Sequence, residues 1–393
     1  MLFFLIIIFG IPLLSLAWWW WAHRRLSQLE IPAIWRWMFS LALIVLLVGF
    51  TWIILARREM VDAAVPPAVY AAVLLWGLIF LPFVALPMMT TWAMLATGKF
   101  FTRKLRPITD STALHPADPA RRRLLGATVV ALPLLATFGT AGITLPRTQH
   151  FRIRTLTVKL KDLPPALDGM TIAHVTDTHV GKFTRGALLD RIAKATTELG
   201  ADLILLTGDL IDNSIKDLPA ALAMVRQMRA RYGLFMVEGN HDLFDDPEEF
   251  VRQTHASGVP LLRNQAALLQ VRGHPVQIMG IPWNRSEARI ANDVANVMTL
   301  KEFDSFPILL AHHPHAFDAA AEHGIPLTLA GHTHGGQLML TEEIGAGPAM
   351  YKYWSGLYQK ADRALIVSNG AGNWFPLRTH APAEIIHLTL RRA

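Results

Sequence analysis

Cysteine is absent from the 393 residues, and charged side chains are scarce, since Asp, Glu, Lys and Arg together make up only 17% of the chain. The lack of cysteine excludes disulfide bonds, thiolate nucleophiles and cysteine-ligated zinc. The scarcity of charge accompanies a hydrophobic content of 52% and a mean hydropathy of +0.32. Such a chain is too apolar for an ordinary soluble protein, so we expect membrane-spanning segments.

The net positive charge is confined to the first part of the chain. Residues 1–150 hold 13 Lys and Arg against 5 Asp and Glu, whereas residues 151–393 hold 24 against 25. A nucleic-acid-binding protein would carry a basic patch on its folded domain. The pI of about 9.8 therefore favours contact with anionic lipid headgroups and argues against nucleic acid as a partner. A nuclease, which needs a basic groove, is disfavoured for the same reason.

Four stretches contain no Asp, Glu, Lys or Arg, and each is long enough to cross a bilayer, which takes about 20 apolar residues. They predict an all-α membrane region over 1–146 with four transmembrane helices, at about 1–22, 37–56, 67–97 and 124–145. Pro82 and Pro87 predict a kink in the third helix, because proline removes a backbone donor.

The loops between these helices predict the orientation of the protein. The loops after the first and third helices carry ten Lys and Arg, against two after the second. Because basic loops stay in the cytoplasm, the region after about residue 147 is predicted to lie outside it. Arg121 to Arg123 can be interpreted as a stop at the cytoplasmic face or as an internal twin-arginine export signal. Both interpretations predict the same placement of the C-terminal domain.

From residue 151 onward, short apolar runs alternate with polar motifs and helical stretches. The runs are Thr171–Val175, Leu203–Leu206, Leu234–Val237, Ile308–Leu310 and Leu327–Leu329. Alternating strands and helices predict an α/β domain over 150–393, with its ligand-binding residues at the carboxyl ends of the strands. Later segments, including Gln337–Leu340 and Glu384–Leu390, predict further strands in a second sheet that packs on the first.

The polar motifs after the five runs supply carboxylate, amide and imidazole side chains. They are Asp177, His179, Asp209, Asn240, His241, His312, His332 and His334. A turn, a cap or an ordinary polar residue would explain each one alone. Together they form the kind of ligand set that two divalent cations need. The glycines that precede three of them predict sharp exits of the chain from the sheet.

The order of these motifs resembles that of the calcineurin-like metallophosphoesterases. The family pattern of DxH, GDxxD, GNHD, H and GHxH is matched by DTH 177–179, GDLID 208–212, GNHD 239–242, His312 and GHTH 331–334. The resemblance covers roughly residues 150–393 and implies a two-sheet sandwich flanked by helices. The GHTHGGQ run is similar to a bacterial subgroup of exported or membrane-tethered phosphoesterases. Asp242 departs from the protein phosphatases, so a phosphoprotein substrate is disfavoured.

The resemblance also implies roles for individual residues. By position, Asp177, His179, Asp209 and His334 would bind one metal ion. Asp209 would bridge to a second ion, which Asn240, His312 and His332 would also bind. The ions would be Mn²⁺, Zn²⁺ or Fe²⁺, and they would generate the attacking hydroxide.

The same resemblance implies that His241 protonates the leaving oxygen and that Asp212 orients His241. A plain helix-capping role is the alternative for Asp212. His313 should point away from His312, to the opposite face of its strand.

The expected function is metal-dependent hydrolysis of a phosphomonoester or phosphodiester. The four predicted helices, together with the bacterial subgroup, predict a multi-pass protein of the bacterial inner membrane. The subgroup implies a lipid-linked or cell-envelope substrate such as UDP-diacylglucosamine. A catalytically degenerate membrane sensor or binding module is the alternative, and the complete ligand set argues against it.

Overall fold

A computed structural model describes residues 6–57, 60, 65–105 and 118–393, which belong to two compact units, Met1–Leu145 and Pro146–Ala393. The first unit is helical. Its α-helices are α1 (Ile11–Gln28), α2 (Ala33–Arg57), α3 (Pro67–Leu75), α4 (Leu86–Leu105) and α5 (Pro119–Arg147). Wider π-helical segments precede α1, at Ile6–Gly10, and join α3 to α4, at Trp76–Ala85. Pro82 lies inside the second of these segments, where its missing N–H interrupts the regular hydrogen bonding.

Three helical stretches among the described residues are long and apolar enough to cross a membrane. They are Ala33–Ala56, Pro67–Gly98 and Pro119–Arg147, and they overlap the second, third and fourth predicted helices. The first predicted helix, about 1–22, begins in residues 1–5, which lie outside the described part of the chain, so it stays a prediction. Arg58 and Arg106, which count toward the predicted orientation, also lie outside the described residues.

The second unit contains two β-sheets. Its strands are β1 (Arg152–Leu160), β2 (Thr171–Val175), β3 (Leu203–Thr207), β4 (Leu234–Val237), β5 (Gln265–Val271), β6 (His274–Gly280), β7 (Phe306–Leu310), β8 (Leu327–Ala330), β9 (Gly356–Lys360), β10 (Arg363–Val367) and β11 (Glu384–Arg392). The first sheet has the order β1-β11-β2-β3-β4, and the second has the order β5-β6-β7-β8-β10-β9. Strands β2, β3 and β4 are parallel, as are β6, β7, β8 and β10, so in each sheet several carboxyl ends share one edge.

Side chains from both sheets form one core between them, with Ile172 and Leu205 of the first sheet and Ile308 and Leu329 of the second fully buried. Helices α6 (Ala187–Glu198), α7 (Leu218–Val225) and α8 (Pro247–Ala256) cover the outer face of the first sheet, and α9 (Glu287–Met298) and α10 (Ala316–Glu322) cover that of the second. Every residue of β3, β7 and β8 is buried, because both faces of these strands are covered. The predicted α/β sandwich flanked by helices is confirmed.

The prediction of a strand at Gln337–Leu340 is wrong. Two left-handed glycines precede this segment, and Gln337 itself has a φ of 54°, so the chain folds back on itself there. Leu338 and Met339 make only isolated bridges, to Thr379 and Gly345. A short helix, α11 (Ala346–Met350), follows.

Candidate metal centre

The predicted ligands meet where five strands end. Asp177 and His179 follow β2, Asp209 follows β3, and Asn240 and His241 follow β4, all in the first sheet. His312 follows β7 of the second sheet, and His332 and His334 follow β8. Local sequence therefore places each side chain, and the sandwich brings the two sets together.

Asp177, His179 and His334 form the first of two groups that we assign as ligand groups. Their ligand atoms lie within 4.8 Å of one another, and all three residues are buried. Nε2 of His334 lies 3.2 Å from Oδ1 of Asp177 and 2.9 Å from Nε2 of His179. Nδ1 of His179 is buried without a hydrogen-bond partner among the described residues. This spacing suits one cation between the three side chains.

Asp209, His312 and His332 form the second group, and their ligand atoms also lie within 4.8 Å of one another. Nε2 of His312 lies 3.2 Å from Oδ2 of Asp209 and 3.1 Å from Oδ1 of Asn240. Nδ1 of His332 lies 2.8 Å from the same Asn240 oxygen. Oδ2 of Asp209 is also 3.5 Å from Nε2 of His179, a residue of the first group. The Asp209 carboxylate therefore stands between the groups, where a bridging ligand belongs.

Five of these residues have a left-handed backbone, with φ between 44° and 72°: Asp177, His179, Asp209, His332 and His334. Residues other than glycine rarely adopt this backbone conformation, which costs about 1–3 kcal/mol per residue. Such strain persists only where the surrounding structure enforces it, and it is common at functional sites. Here it turns each ligand out of its strand direction and toward the shared centre.

Glycines next to the ligands provide space for the carboxylates. A Cβ on Gly331 would overlap Oδ2 of Asp177, and one on Gly239 would overlap Oδ1 of Asp209. Neither glycine has a left-handed φ, so the predicted sharp exit from the sheet is not their role. Instead, each glycine lets a carboxylate approach the backbone closely. Gly208, with a φ of 91°, does fit the predicted conformational role.

The charges of the site suit divalent cations. Burial disfavours the carboxylate form of Asp177 and Asp209, yet the surrounding imidazoles hold the pKa of both side chains below their usual range. Burial likewise disfavours protonation of His312, but the Asp209 carboxylate raises the pKa of that imidazole to about 9. Burial and the neighbouring His312 lower the pKa of His332 to about 4. Two carboxylates among imidazoles and an amide oxygen form a donor set that Mn²⁺, Zn²⁺ or Fe²⁺ accepts.

His241 lies beside both ligand groups. Its Nδ1 donates a hydrogen bond to the backbone carbonyl of Asp212 at 2.5 Å, and its ring meets that of His179 edge-on at 4.5 Å. Burial lowers the pKa of His241, but Asp212 and Asp209 reverse this and raise it above its usual value. Asp212 thus contacts His241, whereas Ser214 caps the helical turn that follows. The helix-capping alternative for Asp212 has no support in this geometry.

The orientation predicted for His313 is wrong. Strand β7 ends at Leu310, so the alternation of strand faces no longer applies two residues later. The ring of His313 lies 4.9 Å from that of His332 and 4.6 Å from that of His315. His313 therefore packs against His332 of the second ligand group, although it belongs to neither group.

Three residues that lie at the site were not predicted from the sequence. Nη2 of Arg378 lies 2.8 Å from Nδ1 of His334. The rings of Phe244 and Trp374 lie 4.5 Å and 6.1 Å from that of His241. None belongs to a recognisable motif. The only available signal was the position of Phe244, two residues after the GNHD motif.

Residues 170–336 match the family model of the calcineurin-like phosphoesterases, and all the ligand residues described above fall inside this segment. This segment is a calcineurin-like phosphoesterase domain. A Danio rerio protein named "Transmembrane protein with metallophosphoesterase domain" is 29% identical over 280 residues, which cover 68% of this chain and 63% of that protein. A Helicobacter pylori "Uncharacterized metallophosphoesterase" is 30% identical over 241 residues, covering 59% and 64%.

The chain thus spans less than two thirds of the length of these two metallophosphoesterase relatives. Among solved structures, a Thermus thermophilus protein, TT1561, matches with a TM-score of 0.36 at 13% identity, over 52% of this chain and 90% of that one.

Proposed function

We propose that this calcineurin-like phosphoesterase hydrolyses a phosphomonoester or phosphodiester with two divalent metal ions. The observation that carries the proposal is the pair of ligand groups that share the Asp209 carboxylate, 3.2 Å from His312 and 3.5 Å from His179. Membership of the family supports the same reaction class.

In this proposal the ligand groups of the chain fix the geometry of the reaction. Asp177, His179 and His334 would hold one ion, and Asn240, His312 and His332 the other, with Asp209 between them. Bound ions of this kind polarise a phosphate and lower the pKa of water toward neutrality. The strained backbones hold the ligands in place before a substrate arrives, so little reorganisation accompanies the reaction.

His241 is the proposed proton donor to the leaving oxygen. Because its Nδ1 is held by the Asp212 carbonyl, Nε2 is the nitrogen left for a substrate. Asp212 would keep the ring in this orientation. Lys182 adds positive charge nearby, 3.4 Å from the Asp212 carboxylate.

We also propose that the protein is a multi-pass protein of a bacterial inner membrane with its metal centre on the extracytoplasmic side. The three apolar helices and the name of the Danio rerio relative support membrane association, and the distribution of basic loops supports the orientation. A substrate presented by the bilayer, such as UDP-diacylglucosamine, would meet a tethered site at high effective concentration. A reporter fused after Ala393 that is active only in the cytoplasm would contradict the orientation.

The full chain, purified in detergent, tests the proposed chemistry. We expect it to hydrolyse p-nitrophenyl phosphate or bis-p-nitrophenyl phosphate when Mn²⁺, Zn²⁺ or Fe²⁺ is added. Asp209→Asn should abolish turnover, while the exposed Asp190→Asn should leave it unchanged. A folded chain that is inactive with each ion against phosphomonoesters, phosphodiesters and nucleotide-linked glycolipids would refute the enzyme and favour a binding module.

A further inference from the structure

Two partly exposed aromatic side chains stand beside the proposed proton donor. Phe244 is 48% exposed, and its ring centroid lies 4.5 Å from that of His241. Trp374 is 38% exposed, and its ring lies 6.1 Å from that of His241 and 6.4 Å from that of His334. Large aromatic rings are normally buried for most of their surface. Here two of them, from distant parts of the sequence, keep ring surface open to solvent at one side of the metal centre.

The segment that carries Trp374 is held firmly from both sides. The backbone N–H groups of Ala371 and Gly372 donate to the carbonyls of Thr176 and Asp177, each at 2.9 Å. On the other side, the side-chain amide of Gln337 donates to the carbonyl of Phe375 at 3.1 Å. The indole therefore does not depend on a mobile loop for its position, and its open face is available before any ligand binds.

Phe244 is positioned by the motif that supplies His241. A single turn of 3₁₀-helix begins at His241, directly after Asn240, and ends at Leu243. The carbonyl of His241 accepts a hydrogen bond from the N–H of Phe244 at 3.3 Å. This hydrogen bond fixes the backbone of Phe244 relative to that of His241. Both rings therefore lie beside the imidazole that is the proposed proton donor.

We propose that Trp374 and Phe244 form a stacking site for a planar ring in the substrate. The ring belongs to the group that is bonded to phosphorus through the leaving oxygen, on the side that faces His241. The inference rests on the proposed function, in which His241 faces the leaving oxygen. Aromatic side chains bind planar rings by offset stacking, which depends on flat π-surfaces and not only on apolar area. The substrate class is accordingly a phosphoester with an aryl or nucleoside group. Both groups contain a planar ring that can stack on the two side chains.

Non-hydrolysable phosphonates separate stacking from simple apolar contact. Benzylphosphonate carries a planar ring, and cyclohexylmethylphosphonate carries a saturated ring of similar size that is more apolar. Their dissociation constants would be measured by calorimetry on the full chain in detergent with Mn²⁺. We expect benzylphosphonate to bind about tenfold more tightly, which corresponds to about 1.4 kcal/mol. If apolar contact alone operated, the saturated ring would bind at least as tightly, and that result would overturn the proposal.

Variants assign the effect to the two rings. Trp374→Ala should remove most of the tenfold preference, and Trp374→Phe should retain part of it because a planar ring remains. Phe303→Ala is the matched control, since Phe303 is 97% exposed and precedes the amino end of β7, whereas the metal centre lies at the carboxyl ends. If Trp374→Ala does not fold, as judged by its melting curve, Phe244→Ala replaces it. An unchanged preference in the folded variant contradicts the proposal.

Two further measurements keep this proposal separate from the hydrolysis on which it rests. Should every ester resist hydrolysis while benzylphosphonate still binds through Trp374, the reaction would be wrong and the stacking site would stand. Should esters be hydrolysed with no preference for planar groups, the stacking site would be wrong. Where planar groups are preferred, a comparison of p-nitrophenyl phosphate with a nucleoside 5′-phosphate would distinguish the aryl source of the ring from the nucleoside source.

Discussion

Oδ2 of Asp209 lies 3.2 Å from Nε2 of His312. Nδ1 of the same imidazole lies 2.7 Å from the carbonyl of Thr207, an acceptor, so Nδ1 carries a proton. Without a metal ion, the two side chains therefore form an ion pair. The Asp209 carboxylate raises the pKa of His312 to about 9, even though burial opposes the charge. A metal ion that binds Nε2 has to displace the second proton.

This relationship predicts that metal binding releases a proton at neutral pH. His312 is protonated below its raised pKa, so protons compete with the ion up to about pH 9, and the affinity for Mn²⁺ should rise about tenfold per pH unit between pH 6 and 8. Calorimetry in buffers with different ionisation enthalpies would count the released protons. The slope should flatten in His312→Asn and remain in the exposed control His323→Asn. An affinity that does not vary with pH would contradict the assignment of His312 as a ligand.

Gly331→Ala should disrupt the first ligand group. The added methyl group would overlap the Asp177 carboxylate, and overpacking of this kind destabilises a protein by about 1–3 kcal/mol. We expect a lower melting temperature and less than the wild-type metal content by elemental analysis. Gly139→Ala is the matched control, because nothing lies within 4 Å of the position that its Cβ would take. Full metal content in Gly331→Ala would show that the close approach is unimportant.

Most of the metal centre could be predicted from the sequence because local rules place its parts. Each ligand follows a short apolar strand, and parallel strands bring their carboxyl ends to one edge, so Asp177, Asp209 and His312 were found without any knowledge of the packing. The two-sheet fold was predictable for a similar reason, since buried parallel strands are continuous apolar runs.

Features that depend on long-range contacts could not be predicted. The strand expected at Gln337–Leu340 is apolar enough, but left-handed residues before it turn the chain back, and the need for them arises from packing against residue 379. Arg378 is one of 37 Lys and Arg residues, and only the fold shows that its guanidinium lies behind a ligand. Nothing in the sequence around Trp374 distinguishes it from other loop tryptophans, and only the fold shows that it lies beside His241.

Substitution of His241 should affect poor leaving groups more than good ones. An alkoxide needs a proton as the P–O bond breaks, whereas p-nitrophenolate leaves readily without one, so only the first reaction depends strongly on a general acid. His241→Gln should lower kcat by about 100-fold or more for an alkyl phosphate, and considerably less for p-nitrophenyl phosphate. Metal content should stay at the wild-type value, which separates this role from that of a ligand. Equal losses for both esters would exclude His241 as the proton donor.

Arg378 should be a positioning residue that supports both the fold of the 369–381 segment and the first ligand group. Its guanidinium donates to the carbonyls of Asn369 and Gly372, at 2.8 Å and 2.6 Å, and reaches Nδ1 of His334 at 2.8 Å. Because the guanidinium lies against Nδ1 of His334, the orientation of that ring depends on Arg378.

Arg378→Met should therefore lower the free energy of unfolding by about 3 kcal/mol, because several charged hydrogen bonds to buried carbonyls are lost together. Loss of a residue that orients a metal ligand also weakens metal binding by about 10- to 100-fold. Urea unfolding and Mn²⁺ titration would measure the two effects. Arg378→Lys should recover little, since one ammonium cannot donate to both carbonyls and also contact His334, and the exposed Arg226→Met should change neither quantity. If stability falls in Arg378→Met while metal affinity is retained, Arg378 supports only the segment and not His334.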